Sequence, residues 1–188
     1  GGNLGAGIAA RAAKDGYTYF MGAVHHAIAP SVYKKLDYSL EKDFAPLAVV
    51  AVVPQVIVVT PKRVKETDLA SLIALAKKNP GKLNYASAGS GTSHHLAGEL
   101  FRSLTGVNIV HVPYRSAATA HTDLLGGHVQ MEFTGISGVA PSVKVGRLRA
   151  LAVTTARRSA LLPDVVTAGE AGFPALEVSS SLGLLAPA

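Results

Sequence analysis

The sequence has 188 residues, of which 48% are hydrophobic and 16% are charged, and its formal net charge is +6. This apolar fraction suffices for a folded core and excludes a disordered chain. Cysteine is absent, which excludes disulfides, thiolate catalysis and cysteine-based zinc sites.

The positive charge does not indicate a nucleic-acid partner. Basic residues form short scattered clusters, and no aromatic residues that could stack on bases are interleaved with them. No apolar run reaches the ~20 residues that a membrane-spanning helix needs, because residues 45–60 are interrupted by Pro46, Pro54 and Gln55. The chain starts at Gly1 without a leader pattern and ends on an apolar stretch, so we expect it to be an internal piece of a longer protein.

The first part of the sequence predicts a helix, a strand and a long extended run with a helix behind it. The extended run exceeds the usual length of one strand, so we expect a bend near Pro54 or a passage between two domains. The predicted ranges are 4–14 (helix), 17–24 (strand), 47–60 (extended run) and 67–78 (helix).

From Lys82 onward, apolar runs alternate with turns and amphipathic helices, which predicts βα units and a mostly parallel sheet. Residues 177–185 are again extended and are predicted to return to the first domain. Two such crossings describe a clamshell with a hinge. The predicted strands are 83–87, 107–112, 129–133 and 148–154, and the predicted helices are 93–105, 116–125 and 137–145.

A glycine-rich turn between strand 83–87 and helix 93–105 is the main candidate binding site. Its glycines allow a sharp turn, while hydroxyls and the N–H groups of the first helical turn offer donors to a carboxylate. Three or four such bonds, each about 1.5 to 3 kcal/mol, would support micromolar binding. An ordinary capped βα turn is the alternative interpretation. The candidate residues are Ser87, Gly89, Ser90, Gly91, Thr92 and Ser93.

Other chemistries fit this turn less well. A phosphate-binding Walker loop needs Gly-Lys-Ser/Thr, but Thr92 follows Gly91, and the third glycine of a dinucleotide fingerprint is replaced by His94. Neither Ser90 nor Ser137 stands in the G-x-S-x-G frame of a serine hydrolase. No cofactor is therefore predicted.

Histidines and two later turns complete the candidate set. The pairs His25/His26 and His94/His95 lack a metal-binding frame, and His25 and His26 could equally be ligand donors at a strand end or residues of a surface loop. Tyr114 and Arg115 follow strand 107–112, and Thr134 and Gly135 follow strand 129–133. Turns at one edge of a parallel sheet converge, so these residues are grouped with the glycine-rich turn.

The sequence resembles the extracytoplasmic receptors of tripartite tricarboxylate transporters, also called the Bug or TctC family. The resemblance rests on the order and spacing of several short motifs and extends along nearly the whole chain. These motifs are DGYT (15–18), KDFAP (42–46), PGKLNYAS (80–87), GTS (91–93), HLAGELF (95–101), HVPY (111–114), DLLGG (123–127), GRLRALAV (146–153) and GLLAP (183–187).

The resemblance implies the two-lobed α/β fold of type II periplasmic binding proteins, with a complete second lobe and a truncated first lobe. We divide the chain into a partial first lobe (1–83), a second lobe (84–175) and a return crossover (176–188). It implies a non-enzymatic, periplasmic receptor that binds a small organic anion (a di- or tricarboxylate, an acidic amino acid or an aromatic acid) and serves membrane permease subunits. His25, His26, Tyr114, Thr134 and Gly135 would line the cleft beside the glycine-rich turn.

Three positions depart from the family pattern, namely Ala29, Thr134 and Ser181, where Asn, Asp and Trp are common. The first two bear on ligand specificity and the last on the rim of the cleft. Two other functions stay open at this stage. An enzyme acting on an anion at the same turn would need a base such as His25, His94 or Glu99. An effector-binding module of a transcription regulator would need a helix-turn-helix that these residues do not contain.

Overall fold

A computed structural model describes residues 2–188, which divide into two compact units. Unit 1 comprises residues 2–53 and Ser180–Ala188, and unit 2 comprises Pro54–Ser179. The division therefore lies at Pro54 and not at the predicted 83/84 boundary. The reason is packing, because Leu69 and Leu72 of the intervening segment are buried with Tyr85 in the core of unit 2.

Unit 1 is built around a small sheet in the order β1-β7-β2, in which β1 pairs antiparallel with β7. The predicted helix 4–14 ends at Ala10, and the predicted strand 17–24 is shorter at both ends. Its elements are α1 (Asn3–Ala10), β1 (Phe20–Ala23), α2 (Val24–Val32), α3 (Leu40–Asp43), residues 44–53 of β2 (Phe44–Val59) and most of β7 (Ser179–Pro187).

Unit 2 contains the predicted βα units, each within three residues of its predicted bounds. Strand β3 pairs parallel with both β4 and β5, whereas β2 pairs antiparallel with both β5 and β6. Its elements are residues 54–59 of β2, α4 (Leu69–Lys78), β3 (Asn84–Ser87), α5 (Ser93–Thr105), β4 (Val110–Pro113), α6 (Ala117–Gly126), β5 (Met131–Gly135), α7 (Ile136–Lys144) and β6 (Arg149–Val153).

Helices cover both faces of this sheet, so its central strands are apolar on both sides. Successive residues of β2 show the alternation: Ile57 and Val59 belong to one core cluster, and Val56 and Val58 to the other. All four are fully buried. Such near-continuous apolar strands are typical of sheets with helices on both faces.

Glycine and hydroxyl residues set the ends of the helices in unit 2. Thr92 caps α5 and Ser116 caps α6, each accepting a backbone N–H with its side chain. Gly106 and Gly127 end the same two helices in the left-handed conformation. Within residues 2–188, no helix is both long and apolar enough to cross a membrane.

Gly98 allows α5 to pack closely on the sheet, and we expect Gly98→Ala to destabilise the fold. An added Cβ would overlap the ring of Tyr85, which is fully buried. Overpacking of this kind costs about 1 to 3 kcal/mol, measurable as a lower free energy of unfolding in denaturant.

Gly138→Ala is the matched control, because Gly138 is also helical but has open space at its Cβ position. We expect this variant to be as stable as the parent or up to about 1 kcal/mol more stable. Equal stabilities for the two variants would contradict the proposed packing of Tyr85 on Gly98.

Candidate ligand-binding site

Three turns meet at one edge of the sheet in unit 2. Because β3 lies between β4 and β5 and is parallel to both, the carboxyl ends of the three strands face the same way. Ser87 lies opposite Pro113, and the Tyr114 N–H donates to the Ser87 carbonyl at 3.0 Å. The structure thus brings the glycine-rich turn, Tyr114 and Thr134/Gly135 to a common edge, as the sequence predicts.

The turn from Ser87 to Ser93 needs its glycines. Gly89 has φ 119° and Gly91 has φ 76°, a region that L side chains rarely adopt. The Ser87 hydroxyl accepts the Gly89 N–H at 3.1 Å, and the Thr92 hydroxyl donates to the Gly89 carbonyl at 2.7 Å. The turn is therefore cross-linked around Gly89 by its own side chains.

These hydrogen bonds decide which groups of the turn can face a ligand. The hydroxyl of Thr92 is occupied with the Gly89 carbonyl and the His95 N–H, and Thr92 is 4% exposed. The Gly91 N–H donates to Nδ1 of His95 at 3.1 Å. Ser90 is exposed. Ser93 is the first residue of α5, so its backbone N–H has no acceptor within the helix. The N-terminus of α5 is the most suitable place for an anion.

Behind the turn, three rings form a stack. His111 stacks on Tyr85 with centroids 4.9 Å apart and on His95 with centroids 4.1 Å apart. Nε2 of His111 lies 2.6 Å from the Ser87 hydroxyl. Burial lowers the pKa of His111 to about 4 and also lowers the pKa of His95. Both rings are consequently neutral at neutral pH.

The other two turns contribute less accessible polar groups. The Tyr114 hydroxyl donates to Asp123 of α6 at 2.7 Å, and burial together with this carboxylate raises the pKa of Tyr114 to about 12. Thr134 lines a cavity of about 400 Å³ between α6 and α7, with His121 and Val139 among the other lining residues. Tyr114 therefore anchors α6, while Thr134 has space beside it for a ligand group.

His25 and His26 lie in unit 1, at the first turn of α2 directly after β1. His26 is 4% exposed, packs edge-on against Phe20 at 4.9 Å, and accepts the Ala23 N–H with Nδ1 at 3.0 Å. Burial is the main cause that lowers its pKa to about 4. His26 thus supports the start of α2, and the prediction that it binds a ligand stays a prediction. His25 is half-buried, with its ring 4.2 Å from that of His26.

The metal alternative has no structural support among residues 2–188, where no group of three or more His, Asp or Glu side chains is arranged to hold an ion. His94 and His95 are consecutive residues of α5, so their side chains point in different directions.

A carboxyl group that was not among the residues predicted from the sequence is buried in the sheet beside the site. Glu132 lies between Val58 of β2 and Ala86 of β3, is 0% exposed, and has no hydrogen-bond partner for either carboxylate oxygen among residues 2–188. Burial raises the pKa of Glu132 from 4.5 to about 8. The alternation along β5 could have placed Glu132 on the same face as Thr134.

The stack of His95 and His111 was also missed as a support of the turn. Their positions in the motifs HLAGELF and HVPY were noted only for the resemblance. No sequence pattern places a residue of α5 on a residue of β4, because their contact depends on how the helix packs on the sheet. Only the parallel pairing of β3 and β4 indicates that His111 stands beside Tyr85.

The chain has the α/β fold of the two-lobed periplasmic binding proteins, as its similarity to their solved structures shows, and the predicted fold class is confirmed. A family model described as "Tripartite tricarboxylate transporter family receptor" matches residues 1–188. The chain belongs to this family, and the predicted resemblance is thereby confirmed. Curated relatives are 34% to 38% identical, and the chain spans about half the length of those it matches.

Three solved structures are similar over almost the whole chain. Rpa4515 of R. palustris with adipate is 37% identical with a TM-score of 0.94, and the periplasmic binding protein BugD is 33% identical with a TM-score of 0.94. MatC from Rhodopseudomonas palustris with bound malate is 31% identical with a TM-score of 0.91. The matches cover 99%, 100% and 99% of this chain, and 62%, 62% and 63% of the respective solved chains.

We expect Glu132 to make the stability of the fold fall as the pH rises. Because its pKa in the folded state is raised to about 8, the folded protein holds a proton that the unfolded chain releases near pH 4.5. The stabilisation is complete below the unfolded pKa and is lost as the pH rises through the folded pKa. Between about pH 5 and about pH 8, the parent should lose roughly 3 kcal/mol relative to Glu132→Gln.

Denaturant unfolding of both proteins over this pH range measures the effect. Glutamine keeps the size of the side chain but does not titrate, so shared contributions from the histidines cancel in the difference. Parallel stability curves for the two proteins would show that Glu132 titrates normally.

Proposed function

We propose that the protein containing this chain is an extracytoplasmic receptor that binds a small organic carboxylate and delivers it to a tripartite tricarboxylate-type transporter. The observation that carries the proposal is the glycine-rich turn at the N-terminus of α5, placed where the carboxyl ends of β3, β4 and β5 converge. Similarity to receptors solved with adipate and with malate supports a carboxylate as the ligand.

The chemistry of this edge suits reversible binding of an anion. α5 is 13 residues long, and the N-terminus of a helix of this length carries a partial positive charge and donors without intrahelical acceptors. His95 and His111 next to the turn are neutral, so the N–H groups would supply most of the attraction. A site of this kind holds a carboxylate by several hydrogen bonds without forming a covalent bond.

Only some of the residues predicted from the sequence would contact the ligand directly, and the others would support the site. The turn from Ser87 to Ser93 would contact the ligand through its backbone and through the exposed Ser90, because Thr92 and Ser93 are buried and the Thr92 hydroxyl is occupied. Thr134 and Gly135 would contact the ligand from the next turn. Tyr114, His25 and His26 would act mainly by supporting their own elements.

The enzyme alternative finds no support in the relatives or in the groups near the turn. Of the possible bases, Glu99 accepts the Tyr85 hydroxyl at 2.5 Å and binds Arg102 at 2.8 Å. Burial raises the pKa of Glu99, but these hydrogen bonds outweigh burial and lower it overall. A carboxylate so held is a poor general base at neutral pH.

The proposed partners follow from the family. The ligand-bound protein would be recognised by the membrane permease subunits of a tripartite transporter, in the periplasm. Differential affinity for open and closed forms would drive the closure that the permease recognises. No nucleic acid and no cofactor take part in this proposal.

We expect the full-length protein to bind one member of a panel of mono-, di- and tricarboxylates with micromolar affinity and without chemical change. Isothermal titration calorimetry gives the affinity, and mass spectrometry of the recovered ligand shows whether it is altered. The variant Gly91→Ala should weaken binding about tenfold or more, because alanine disfavours the φ of 76° on which the turn depends.

Gly146→Ala is the control, because Gly146 also has a positive φ of 74° but lies after α7, at the opposite edge of the sheet. Both substitutions strain the backbone similarly, but only the first should alter affinity. Turnover of a panel member would overturn the receptor proposal, and equal affinities for the two variants would place the ligand elsewhere.

A further inference from the structure

The hydrogen bond between Gly91 and His95 determines the protonation state of the imidazole. The Gly91 N–H can only donate, so Nδ1 of His95, 3.1 Å away, must carry a lone pair. His95 is therefore neutral when the turn is formed, with its proton on Nε2. A second proton on Nδ1 would put two donors face to face and break this contact.

His111 supports the other end of the same turn. Its Nε2 lies 2.6 Å from the Ser87 hydroxyl, which in turn accepts the Gly89 N–H at 3.1 Å. The rings of His95 and His111 are stacked with centroids 4.1 Å apart and an interplanar angle of 28°. The two stacked imidazoles thus hold the glycine-rich turn at two points, Ser87 and Gly91.

Among the charged groups around the stack, Glu99 favours a charged imidazole and Arg102 opposes it, but burial outweighs both and lowers the pKa of His95 and His111. Nε2 of His95 lies 3.9 Å from Glu99, but the same carboxylate is paired with Arg102 at 2.8 Å. Tyr85 of β3 covers the other face of His111 and donates its hydroxyl to Glu99. Two positive rings in stacking contact would also repel each other.

We propose that His95, backed by His111, is a positioning residue which holds the carboxylate-binding turn in shape only while its imidazole is neutral, so that acid loosens the turn and releases the ligand. The proposal rests on the proposed function of this turn as the ligand site. Neither histidine needs to touch the ligand. At neutral pH the turn would keep its shape, because burial lowers the pKa of both rings.

Two substitutions of His95 separate its hydrogen bond from its charge. In His95→Asn the amide oxygen can stand near the place of Nδ1 and accept the Gly91 N–H, but it does not titrate. In His95→Leu no acceptor remains at any pH. His128→Asn, at an exposed position after α6, is the control for a histidine-to-asparagine substitution away from the turn.

The first readout is the dissociation constant of the full-length protein for adipate at about pH 7 and about pH 4.5. At the higher pH, His95→Leu should bind about five- to tenfold more weakly than the parent, and His95→Asn should bind within about threefold of it. At the lower pH, the parent and His128→Asn should weaken more than His95→Asn. Protonation of adipate itself cancels, because all variants are compared at the same pH.

The second readout needs no ligand and tests the turn directly. In ¹⁵N-labelled ligand-free protein, the Gly91 amide should be protected from hydrogen exchange at about pH 7 in both the parent and His95→Asn. In acid the parent should lose this protection, whereas His95→Asn should keep it. The imidazole nitrogen shifts of His95 should report the neutral form with the proton on Nε2.

The outcomes distinguish the two proposals. If adipate and the rest of the carboxylate panel fail to bind, the proposed function fails, while Gly91 protection still decides the role of His95. An identical pH dependence of binding for the parent and His95→Asn would overturn the positioning role. So would unchanged Gly91 protection in His95→Leu, provided that this variant unfolds cooperatively like the parent.

Discussion

The parallel pairing of β3 with both β4 and β5 is the constraint on which the candidate site depends. Parallel strands connected by helices place all of their carboxyl ends at one edge, and the turns that leave this edge must converge. Ser87 and Thr134 lie in β3 and β5, and Tyr114 directly follows β4; these residues are 27 and 20 residues apart in sequence. Without this pairing the glycine-rich turn would be an isolated helix cap.

Close packing of α5 on the sheet turns this edge into a defined site. Gly98 allows α5 to approach the ring of Tyr85, and the approach brings His95 onto His111. The ring of Tyr85 also packs against the ring of Phe133 in the core, with centroids 5.6 Å apart. Core packing and the shape of the turn are therefore linked through one aromatic residue.

Periodicity and turn residues were enough to predict much of unit 2. Helix α5 has its predicted bounds, because Thr92 gives a clear cap at one end and Gly106 a clear stop at the other. The grouping of the three turns at one edge also followed from the sequence, since it needs only the order of strands and helices. These features are local or topological.

Features that depend on packing could not be read from the sequence. Helix α2 was missed because it follows β1 without a turn and contains Pro30. The two compact units divide at Pro54 and not at 83/84, because α4 packs into unit 2. The occupied hydroxyl of Thr92 and the neutral state of His95 emerge only from distances between atoms. Glu132 illustrates the same limit, since its buried state depends on the strands at either side.

The neutral groups around the turn give the proposed site its character. With Glu132 protonated at neutral pH and both histidines uncharged, attraction for an anion would come from backbone N–H groups and the N-terminus of α5. Such donors are fixed in direction, so they would select an anion by the positions of its oxygens, as in a carboxylate, and not by its charge alone. The formal net charge of +6 would act at longer range.

A crystal structure of the full-length protein with bound adipate or malate tests the central claim most directly. We expect a ligand carboxylate within hydrogen-bond distance of backbone N–H groups at the start of α5, with Gly91 still donating to His95. A ligand bound away from the turn formed by residues 87–93, or a carboxylate held mainly by a cationic side chain, would contradict it.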